Sequence, residues 1–63
     1  MNEDNIRDDH YLFLKTSYPE LYRSVISDAE LIILRYGIKN YRLAYDIEYL
    51  AVRSALVAKG HTV

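Results

Sequence analysis

From Ile38 to Lys59 the sequence reads as one long helix that is apolar almost all the way round, and a chain of 63 residues has little else with which to cover it. At 100° per residue, Lys39, Arg42, Asp46 and Arg53 fall within a sector of roughly 60°, and nearly everything outside it is hydrophobic. A surface helix needs an apolar stripe only somewhat wider than about 100°. The surplus arc is therefore expected to face a second copy of the chain or another protein.

Size sharpens that expectation. A domain this small buries only about 60% of its unfolded surface, and such domains usually lean on disulfides, a metal or a partner chain. There is no cysteine, and His10 and His61 stand at opposite ends with no zinc-type spacing. Association remains as the staple, and no cofactor, metal or small-molecule substrate is expected. Eight basic and nine acidic residues are scattered along the chain, so no long-range field favours nucleic acid. The acidic, polar start from Met1 to Asp9 is unlike a targeting segment, and the longest unbroken apolar run is only Leu31 to Leu34. A soluble, cytoplasmic protein without a membrane span is the expectation.

Along the chain, residues 1–7 read as a disordered lead, because Asn2, Glu3, Asp4, Asn5 and Arg7 offer almost nothing to bury. Asp8 is a candidate N-cap for a short helix from Asp9 to Thr16. Tyr18 and Pro19 break that helix, and Pro19 suits the first position of a second one. Ser27 and Glu30 form a capping box, with Ile26 and Leu31 placed as a hydrophobic staple, which argues for a fresh helix at Asp28. Against it, Tyr22, Val25, Ala29, Ile32 and Tyr36 keep an unbroken helical spacing through Ser27, so one bent helix from Pro19 to Tyr36 is the alternative. Gly37 suits the left-handed position after a helix, with Ile38 packing back on Ile33. Residues 8–60 thus form a single helical domain, ended by Gly60, and residues 61–63 are expected to fray.

In the last helix Ala44, Glu48, Ala51, Ala55 and Ala58 hold a 4,3,4,3 spacing, and small residues there let two backbones approach closely. This stripe, with Leu43, Ile47, Leu50 and Val52 beside it, is the expected self-association seam. Glu48 is the anomaly on it. As a carboxylate among alanines it either fixes the register of a pair or reaches water at the edge of an incompletely covered arc. Seven tyrosines against one phenylalanine point to boundary positions, where the ring is covered and the hydroxyl stays hydrated. Tyr41, Tyr45 and Tyr49 recur every four residues and, with Leu56, form a candidate partner face; a core rim is the other reading.

Catalysis has little to work with, since a nucleophile needs a base in reach and neither histidine has a serine placed near it on a defined element. The second functional class is nucleic-acid binding. Two helices joined at a glycine, with Arg35, Lys39, Asn40, Arg42 and Arg53 toward one sector, invite a helix-turn-helix reading. Ile33 stands where that motif prefers a small residue, and Asp46 interrupts the polar stripe.

Two strings, Ser27-Asp28-Ala29-Glu30-Leu31 and Tyr41-Arg42-Leu43-Ala44, resemble the central helix of the haemolysin-expression-modulating family. The resemblance implies a small helical bacterial protein that binds a nucleoid-silencing protein. It needs a shift of one residue between the strings, and the chain lacks tryptophan and that family's closing segment.

The sequence thus predicts an all-α domain built on a helical hairpin turning at Gly37 and completed by homodimerisation. Its expected function is that of a non-catalytic adaptor or regulator of a larger protein, with a dimeric DNA-binding regulator as the alternative. Salt separates them, because phosphate-driven binding weakens steeply between low and physiological salt.

Overall fold

The computed structural model describes residues 3–62, with side chains from Asn5 onward. Among them the chain is all-helical: α1 covers Glu3–Ser17, α2 covers Pro19–Arg35 and α3 covers Tyr41–Ala58.

Helix α1 starts six residues before the expected Asp9, so residues 3–7 are not a disordered lead; Met1 and Asn2 lie outside the described residues. The reason is Arg7. Its guanidinium reaches Asp46 of α3 at 2.8 Å and lies 4.6 Å above the Tyr49 ring, with only 14% of the side chain exposed. A long basic side chain can bury its stem while its charge is paired, and that docking holds a helical turn with little apolar content.

Between α1 and α2 stands a single residue. Tyr18, at φ −136° and ψ 66°, donates its N–H to Leu14 and accepts from the N–H of Tyr22, while Pro19 opens α2 as expected. No helix boundary occurs at Ser27 or Asp28, and the Ser27–Glu30 capping box is left unused inside α2. Packing outweighs that local signal: Ala29 is buried, and Tyr22, Val25 and Ile26 pack against the core from the same helix.

The stop at Gly37 is as predicted. Gly37 has φ +63°, its N–H meets the Leu34 carbonyl at 3.2 Å, and the N–H of Ile38 reaches back to Ile33 at 3.0 Å. Gly60 repeats the arrangement at φ +90°, with its own N–H bonded to Val57 and the N–H of His61 bonded to Leu56. Helix α3 begins at Tyr41 rather than Ile38, because the Asn40 side chain caps it by accepting from the N–H of Leu43 at 3.1 Å.

Helices α2 and α3 pack against each other on either side of the turn at Gly37. Helix α1 runs parallel to α3: Arg7 meets Asp46, His10 meets Tyr49 and Tyr18 meets His61, at nearly constant sequence offsets. The core is Leu14, Val52, Ala55 and Leu56, with Tyr11, Leu21 and Val25 among the residues packed on it. Each fully buried leucine or valine contributes about 1.5–3 kcal/mol, so this core is modest. The surface agrees. At 4768 Å², it exceeds the roughly 4200 Å² typical of a folded monomer of this mass, and the smallest extent is only 16 Å.

Candidate interaction surface

Helix α3 serves three directions at once. Toward α1 it turns Tyr45, Tyr49, Val52 and Leu56, and this side carries large rings and polar contacts. His10 Nδ1 and the Tyr49 hydroxyl share a hydrogen bond at 2.7 Å, with their rings stacked at 5.7 Å. Tyr11 stacks on Tyr45 at 5.9 Å. Of the four residues expected to form a partner face, Leu56 is fully buried and Tyr45 and Tyr49 are half-buried under α1, which leaves Tyr41 alone exposed, at 92%. Their four-residue spacing marked a real face, and the first helix of the same chain occupies most of it.

Toward α2 the contacts are small. Ala44 and Ala51 are half-buried and Ala55 is buried, and all three line grooves shared with α2 of the same chain. Val52 is wholly buried and, with Ala55, is core rather than seam. Ala58 lies exposed near the helix end.

The outward side remains apolar. Leu43, Leu50 and Val57, seven residues apart, are 49%, 56% and 55% exposed. With half-buried Ile47 and exposed Ser54 they complete a 4,3,4,3 row. Leu21, Val25, Asp28 and Ile32 of α2 hold a 4,3,4 row, and together with Ile47, Leu50 and Ser54 of the α3 row they line an open groove of about 490 Å³ floored by Ala29, Ala51 and Ala55. Asp28 and Ser54 are its only polar lining residues. Of the expected seam, then, Leu43, Ile47, Leu50 and Ala58 lie outward, and Ala51 forms groove floor. The α2 wall and Val57 were not singled out from the sequence, although the seven-residue recurrence of Leu43, Leu50 and Val57 was visible there.

A second apolar region lies at the hairpin tip, where Leu34 and Tyr36 join Tyr41 as highly exposed residues. Beside it Glu30 and Glu48 enter a groove with Ile33, Leu34, Ile38 and Ala44. Glu48 is half-buried and makes no ion pair or hydrogen bond among the described residues. Near it the Tyr11 hydroxyl is buried without a hydrogen-bond partner. Burial pushes the Tyr11 phenol far above its ordinary range, and the Glu48 carboxylate pushes it in the same direction.

The basic residues do not converge. Arg35 and Lys39 are exposed near the tip, and Arg53 stands about 16 Å along α3 from Arg42. Arg42 approaches Asp46 at 3.7 Å, and the Asn40 side chain is engaged as a helix cap. His61 is not frayed: it accepts or donates at 3.0 Å with the Tyr18 hydroxyl and meets the Phe13 ring edge-on at 4.7 Å. Val63 lies outside the described residues. No helix among those described is long and apolar enough to cross a membrane, and no cluster of metal-ligating side chains occurs among them.

No protein-family model matches the chain, and no curated protein or solved structure was found to be similar to it. The two strings that resemble the haemolysin-expression-modulating family lie on different helices, in mid-α2 and in the first turn of α3, so they do not form the single central helix the resemblance requires.

Proposed function

We propose that this chain is a non-catalytic protein-interaction module, a homodimeric adaptor or regulator that acts by stoichiometric binding to a larger protein. One observation carries the reading. Helices α2 and α3 pack on each other and on α1 yet leave Leu43, Leu50 and Val57 about half exposed, with Leu50 lining the groove between the two helices, and apolar surface of this kind marks interaction sites. The groove side serves self-association. The hairpin tip, with Leu34, Tyr36 and Tyr41, is left for the larger partner, since exposed tyrosines supply rigid contact area at low entropic cost.

A photo-crosslinking residue placed at Tyr41, in cells of the protein's origin, tests the second half of this reading. A discrete adduct larger than a chain dimer is expected, and it should vanish with Leu34→Glu. Crosslinks to chain dimers alone would remove the larger partner. The DNA-binding alternative rests on Arg35, Lys39, Arg42 and Arg53, and predicts binding to duplex DNA that weakens steeply from low to physiological salt. Anisotropy measured across that range decides between the two.

A further inference from the structure

The groove between α2 and α3 has two walls of matching character, and its charges say how a second copy would enter it. Asp28 is exposed on the α2 wall, and Arg53 is exposed on α3 directly before Ser54 of the opposite wall. Neither makes an ion pair among the described residues. Asp28 lines the same groove as Leu50 and Ser54 of α3, which bracket Arg53 in sequence, so Asp28 and Arg53 belong to the same stretch of the groove.

We infer that the groove is filled by a second copy of this chain in a two-fold four-helix bundle, with α2 of each protomer over α3 of the other, antiparallel, so that Asp28 of each faces Arg53 of its partner. This rests on the self-association reading above and adds its orientation. Two arrangements bring identical grooves together about a two-fold axis. An axis across the hairpin sets α2 on α2 and α3 on α3, which opposes Asp28 to Asp28 and Arg53 to Arg53. An axis along the hairpin exchanges the helices and joins the unlike charges twice. Like charges brought together penalise the first arrangement, and the 4,3 rows on both walls suit antiparallel bundle packing in the second.

The test is sedimentation equilibrium over a dilution series of the full chain, with circular dichroism on the same samples. The variants are Asp28→Arg, Arg53→Asp, the double exchange, and Leu50→Glu as a groove control. The expected result is a wild-type dimer in the micromolar range, about tenfold weakening for each single reversal, recovery to near wild type in the double variant, and a helical monomer for Leu50→Glu. A dimer indifferent to the reversals, or one not rescued by the exchange, overturns this orientation while self-association survives. A folded wild-type monomer at millimolar concentration overturns both. Because Asp28 and Arg53 are exposed, their variants should keep the wild-type helical signal, and the rescue separates charge pairing from any general damage.

Discussion

The two covered sides of α3 are built on opposite principles. Under α1 it presents Tyr45 and Tyr49, met by Arg7, His10 and Tyr11 through stacking, one ion pair and one hydrogen bond. Under α2 it presents Ala44, Ala51 and Ala55, which hold nothing by chemistry and gain everything from close approach. Aromatic and polar contacts can be removed one at a time, whereas an alanine seam depends on the close approach of the two backbones along its length. The α1 side should therefore loosen by degrees, and the α2 side should fail as a unit.

The largest expected effect is for Leu14→Ala, which empties the one fully buried position among the described side chains of α1 and costs about 2–5 kcal/mol. For a chain with so small a core that is much of its stability, and thermal unfolding by circular dichroism should show a midpoint many degrees lower. Ala55→Leu attacks the alanine seam by overfilling it, at about 1–3 kcal/mol. Amide exchange should then rise in α2 and α3 together; a rise confined to α1 would refute the contrast. Arg7→Ala removes the Asp46 ion pair and the ring contact with Tyr49, at about 1 kcal/mol. Exchange should increase in the first turns of α1 while the middle of α2 keeps its protection.

The smallest effect near neutral pH belongs to Tyr11→Phe. Deleting a buried hydroxyl that has no partner should leave stability within about 0.5 kcal/mol of wild type or raise it slightly. The alkaline limb separates the two proteins. Burial, then Glu48, holds the folded phenol neutral well above its ordinary range, while the unfolded chain ionises at about pH 10. Tyr11 thus contributes stability that is fully present below about pH 10 and is lost as pH climbs toward the folded value. Denaturant midpoints at pH 7 and pH 11 should diverge more for wild type than for Tyr11→Phe.

Much of the helix punctuation was legible because it is local. Pro19 at a helix start and Gly37 at a left-handed stop depend on backbone sterics alone, and both stand where the residues put them. The capping box at Ser27 is equally local and went unused, since a continuous α2 buries Ala29 and packs Tyr22 and Val25 against the core. Arg7 falls in the expected disordered lead and His61 in the expected fraying tail, yet both pack on aromatic rings contributed by distant segments. The candidate interaction surface was half legible. Periodicity marked α3 as too apolar for its own needs, and it named Leu43, Ile47 and Leu50; it could not tell which arc α1 would take.

By itself the sequence determined an all-helical chain with its turn at Gly37 and a surplus of apolar surface on α3, because helical periodicity, proline and glycine act within a few residues of themselves. Only the tertiary structure decided how that surplus is divided. The tyrosine side went to α1, the alanines went to α2, and the row of Leu43, Leu50 and Val57 was left outward. A wheel gives the angles of side chains on one helix, while the assignment of neighbours to those angles depends on which helices can pack simultaneously around it. Here Tyr18 lets α1 double back parallel to α3, and that path fixes which arc is covered within the chain and which stays outward.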